Sequence, residues 1–124
     1  MKSLTIESTR CTPEILFDPG KGIYSISGSS YPENSFEFYK PIIEWVDSFV
    51  KNNQNEVELN VQMKYFDSTS SKFLIMIFEK FEIFHRKGNQ VIINWLYDEE
   101  DLDDLENAEE LFIGIKVPYR FIRK

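Results

Sequence analysis

The chain has 124 residues with 14 basic and 21 acidic side chains, a formal charge of −7 and a single cysteine, Cys11. That length supports one core without disulfides or metals, so residues 1–124 are expected to form a single domain, and a lone cysteine excludes an intramolecular disulfide and points to a reducing compartment. The acidic balance argues against nucleic acid or an anionic membrane as partner, and with no signal-peptide-like stretch and no run of spanning length, a cytoplasmic protein with no membrane insertion is expected.

Leu4 to Ser8 and Glu14 to Phe17 read as short strands, and Pro19-Gly20-Lys21-Gly22 is a turn into a third strand, Ile23 to Ser27. Pro32, Asn34 and Ser35 supply helix-start chemistry, after which Phe36, Tyr39, Ile43, Val46 and Val50 recur at helical spacing. Pro41 lies inside that pattern and predicts a first-turn position or a mild kink. Asn52-Asn53-Gln54-Asn55 closes the helix.

Val57, Leu59, Val61 and Met63 alternate with polar residues, which predicts a strand with one apolar face and a sheet covered mainly on one side. Phe73, Ile77, Phe81 and Phe84 share a face of a central helix, widened by Leu74 and Phe78 and ended at Lys87-Gly88-Asn89. Val91 to Leu96 is nearly continuously apolar, as in an interior strand, so strand, helix and strand form a parallel crossover. Nine of residues 98–110 are acidic, with Leu102, Leu105 and Leu111 as a thin helical stripe on a solvated segment. Tyr119 to Ile122, after Pro118, reads as an edge strand. The predicted fold is α/β, with a mixed sheet and helices packed mainly on one face.

The richest local chemistry is Tyr65-Phe66-Asp67-Ser68-Thr69-Ser70-Ser71-Lys72, four consecutive hydroxyls between a strand and a helix. Ser, Thr and Asp are preferred helix N-caps, which accounts for part of the pattern. The free N–H groups and dipole of a helix start also favour an anion, so the same segment suits a phosphosite. Catalytic alternatives are thinner. His85 is the only histidine, which leaves too few parts for a His-based zinc site or a Cys–His pair. Glu33, Glu37 and Cys11 remain as parts of a possible small enzyme, and a closed polar pocket joining them would support that reading.

Asp67-Ser68, followed by small residues and an apolar helix, resembles the phosphorylation motif of STAS-domain anti-sigma-factor antagonists. Thr12-Pro13-Glu14-Ile15, Gly28-Ser29-Ser30-Tyr31-Pro32-Glu33-Asn34, Tyr65 to Lys72, Trp45 and Val91-Ile92-Ile93-Asn94-Trp95 together resemble the SiaC family of bacterial regulatory phosphoproteins over nearly the whole chain. The resemblance implies a STAS-like domain that performs no reaction and needs no cofactor. It implies phosphorylation by a histidine-kinase-like Ser/Thr kinase and dephosphorylation by a PP2C-type phosphatase. It further implies that the unphosphorylated form binds and stimulates a diguanylate cyclase, raising cyclic di-GMP and biofilm formation.

Family members carry Asn-Thr where this chain has Asp67-Ser68, so position assigns the acceptor to Ser68, with Thr69 as its rival. The loop before the first helix is expected to lie beside this junction, giving a partner-facing surface of Tyr31, Pro32, Glu33, Asn34, Asp67, Ser68, Thr69 and Ser70. The alternative partner is an anti-sigma factor, sequestered by the unphosphorylated protein.

Overall fold

Apolar alternation builds one sheet with a dry face and a wet one. The computed structural model describes residues 2–124, Leu102 by its backbone alone. The elements run β1 (Leu4–Ile6), β2 (Glu14–Asp18), β3 (Ile23–Ser30), α1 (Ser35–Asn52), β4 (Val57–Phe66), α2 (Ser68–Arg86), β5 (Val91–Tyr97), α3 (Leu102–Leu111) and β6 (Tyr119–Arg123). The strands lie in chain order across a six-stranded sheet. β1, β2 and β3 pair antiparallel, and β3 through β6 pair parallel. A tight turn suffices for the antiparallel part, whereas each parallel pair needs a long crossover, here supplied by α1, α2 and α3 in turn.

On the dry face Tyr24 sits in register with Leu59 and Ile26 with Val61, and Leu59 and Val61 continue to Ile93 and Trp95. All six are buried in one core with Tyr39, Ile42, Val46 and Phe49 of α1 and Leu74, Ile77, Phe78, Phe81 and Phe84 of α2. Each such aliphatic or phenyl side chain contributes about 1.5–3 kcal/mol on full burial. On the reverse face Asn60, Asn94 and Arg120 are registered across β4, β5 and β6. Asn94 donates to Glu58 Oε1 at 2.7 Å and Asn60 Oδ1 at 2.9 Å, and accepts from Arg120 Nε at 2.6 Å. A one-residue slip would break this ladder and turn the apolar set to solvent.

Two local expectations change, and a third is filled in. The buried face of α1 is Ser35, Tyr39, Ile42, Val46 and Phe49, while Phe36 is 64% exposed. Both sets satisfy helical spacing, and the packing against β3 and α2 selects the rotation. Pro41 falls in the second turn after the Asn34 cap, so it is not a first-turn proline and leaves the Glu37 carbonyl without its helical donor. The acidic segment folds as α3 with Ala108 and Leu111 buried and Leu105 half-buried. The expected stripe position Leu102 lies outside the described side chains.

Candidate functional site: the Ser68 helix junction

The junction is organised by Asp67, which leaves β4 in extended conformation and caps α2 by accepting the Ser70 N–H at 2.8 Å. α2 therefore begins at Ser68 and takes in the hydroxyl cluster. Successive residues in a first turn point about 100° apart, so the hydroxyls meet different fates. Ser68 and Thr69 are exposed. Ser70 turns inward and is fully buried.

Ser70 is held by a chain of hydrogen bonds reaching two other elements. Its hydroxyl donates to the Ser30 carbonyl at 3.0 Å, and the Ser30 hydroxyl donates to Ser70 Oγ at 2.7 Å. Ser30 Oγ also lies 2.6 Å from the Tyr39 hydroxyl. Each hydroxyl has one proton, and those of Ser30 and Ser70 are committed, so Tyr39 is the donor to Ser30. Burial raises the Tyr39 phenol above its usual pKa, the Asp67 charge adds to this, and the two serine hydrogen bonds oppose it. The phenol thus stays a proton donor at neutral pH. The Asp67 N–H donates to the same Ser30 carbonyl at 3.0 Å, and the Tyr39 ring stacks on Phe73 at 5.0 Å. The ends of β3, α1 and α2 are pinned together here.

This pinning brings the loop before α1 beside the junction. Tyr31 and Tyr65 meet edge to face at 5.8 Å, and both are exposed, Tyr65 by 56%. Tyr31 is anchored by its N–H to the Cys11 carbonyl at 2.8 Å. Asn34 caps α1 by accepting the Glu37 N–H at 3.1 Å, Glu33 is exposed and Pro32 half-buried. Of the surface expected from sequence, Tyr31, Glu33, Asn34, Ser68 and Thr69 present exposed positions, and Pro32 and Asp67 are half-buried. Ser70 is the correction, because its hydroxyl is spent in the core and offers no surface to a partner.

Ser68 and Thr69 are not equivalent. Ser68, Ser71 and Ile75, at helical spacing on one face of α2, line a groove of about 360 Å³ whose far wall is Asn107, Glu110 and Leu111 of α3. Thr69, one residue on, is not part of that lining. Of the residues weighed for catalysis, Glu33 and Glu37 are exposed. The Cys11 thiol is half-buried and lies 3.8 Å from the Thr9 hydroxyl. His85 sits at the end of α2 with Nδ1 3.0 Å from the Asn89 carbonyl. Sequence reasoning left Ser30, Tyr39 and Glu110 out of the expected site, because their contacts join distant segments.

A mixed α/β sheet that displays two exposed hydroxyls at a capped helix start suits a regulatory domain. The chain belongs to the SiaC family of regulatory phosphoproteins, whose family model matches residues 6–123. An uncharacterized protein of Pseudomonas aeruginosa (strain UCBPP-PA14) is 34% identical over 119 residues, covering 96% of this chain and 94% of the relative. The crystal structure of apo-SiaC from P. aeruginosa superimposes with a TM-score of 0.89 at 34% identity, covering 98% of this chain and 99% of that one. SiaC in complex with the diguanylate cyclase SiaD, of which it is the activator, gives a TM-score of 0.91 at 33% identity, covering 98% of this chain and 99% of that one.

Proposed function

We propose that residues 1–124 act as a single phosphorylation-switched domain that binds and stimulates a diguanylate cyclase when unphosphorylated and releases it when phosphorylated on Ser68. The observation that carries this is full-length similarity to a SiaC solved as the activator of a cyclase. Ser68 is favoured as acceptor because it is exposed at the family's position, beside the Asp67 cap. The exposed Tyr31 and Tyr65 rings beside it supply the aromatic surface on which interfaces depend. The protein itself catalyses no reaction. A histidine-kinase-like Ser/Thr kinase adds the phosphate, a PP2C-type phosphatase removes it, and the module works in the cytoplasm.

The test is to titrate the unphosphorylated protein into the diguanylate cyclase of the same organism and follow cyclic di-GMP. Stimulation that is lost on stoichiometric phosphorylation at Ser68 supports the proposal. Absence of stimulation, together with capture of a kinase-fold anti-sigma factor, favours the antagonist reading suggested by the Asp67-Ser68 pair.

A further inference from the structure

We propose that a phosphate on Ser68 is sensed by α3, with Glu110 as the sensing residue, so that phosphorylation loosens the last turn of that helix. The inference rests on Ser68 being the acceptor and deepens that reading by naming what responds. Ser68 opens onto the α2–α3 groove opposite Glu110, with Asp67 on the near wall, and no lining side chain is basic. The last turn of α3 holds no base, and Glu109 and Glu110 already face the negative end of the helix dipole there. A phosphoserine adds about −1.5 to −2 charges. It therefore meets a carboxylate on each side and the unfavourable pole of a helix. Asn107 is the one neutral donor on the far wall.

The α2 start offers partial compensation. Its Ser70 N–H already serves the Asp67 carboxylate at 2.8 Å, so a phosphate competes with an existing anion for that donor. α3 is also the helix with the fewest buried side chains among those described, Ala108 and Leu111. Phe112, just beyond, stacks on Phe78 at 5.0 Å and on Tyr119 at 4.4 Å. Within the last turn Glu109 and Glu110 form the exposed face that meets the phosphate, while Ala108, Leu111 and Phe112 hold the opposite face to the core, so the repulsion acts against that packing.

Phosphoserine encoded in place of Ser68 tests this without the kinase, with hydrogen exchange of amides 108–112 read by mass spectrometry. The expected result is exchange about tenfold faster than in the unmodified protein, the scale of repulsion between partly exposed charges. Glu110→Lys should cancel the acceleration by supplying a cation, and phosphoserine in place of Thr69 should leave these amides unchanged. Unchanged or slower exchange in the Ser68 form, or equal acceleration in the Glu110→Lys background, overturns the proposal. The acceptor is tested separately by locating phosphate on protein taken from its native cells. Phosphate on Thr69 there would refute the Ser68 reading whatever the exchange data show.

Discussion

Ser30 and Ser70 are separated by 40 residues and joined by a buried 2.7 Å hydrogen bond. That bond, together with the Tyr39 donor above it, fixes the rotation of the first turn of α2. It thereby decides which hydroxyls face solvent. Ser70→Ala leaves the Ser30 hydroxyl and carbonyl short of partners, a loss of about 1–3 kcal/mol. The melting temperature should fall by roughly 3–10 °C, measured by calorimetry against the wild type. Tyr39→Phe removes the donor to Ser30 and should fall at the lower end of the same range.

Phosphate at Ser68 enters a surface that already holds Asp67. One further carboxylate about 6 Å away costs roughly 1–5 kcal/mol, depending on the effective dielectric, or about five-fold to several thousand-fold in affinity. Ser68→Ala should keep the fold and bind the cyclase constitutively. Ser68→Asp should weaken binding, by less than true phosphate because it carries less charge. Calorimetric titration of each variant, with circular dichroism for folding, provides the measurement. Tighter binding by the phosphorylated protein would refute this mechanism.

The exposed pair Tyr31 and Tyr65 separates interface from stability. Tyr65→Ala removes a ring that is 56% exposed, so stability should change by within about 0.5–1 kcal/mol. If the surface is the effector site, affinity should drop by about tenfold or more, the scale of an aromatic anchor. A titration that shows wild-type affinity would move the interface elsewhere.

Asp104 provides a pH prediction. Its carboxyl is pushed up to about 6 by burial first and then by Asp101 and Asp98, with Lys124 opposing. A carboxyl raised above its unfolded value favours the folded state when protonated. This contribution is full below pH 4 and is lost as pH rises through about 6. Asp104→Asn should therefore flatten the stability difference between pH 4 and pH 6 and raise the melting temperature at pH 7. Melting curves of both proteins across that range test the sign, and a variant less stable at pH 7 would contradict it.

The strands and helices of this chain were legible because their signals are local. The alternation from Val57 to Met63 and the caps Asn34 and Asp67 act through neighbours in sequence, and the apolar run of β5 reports an interior strand directly. The same locality made the hydroxyl segment visible as a helix start suited to phosphate. What the tertiary structure decided was rotation and company. Phe36 and Phe49 both fit the period of α1, and only packing against Tyr24, Phe81 and Phe84 selects Phe49 for the core. Likewise, four adjacent hydroxyls look alike in sequence until Ser30 and Tyr39 claim Ser70 and α3 closes a groove beside Ser68. Periodicity carries no information about partners tens of residues away, because those contacts are set by how strands and helices stack once the sheet has formed.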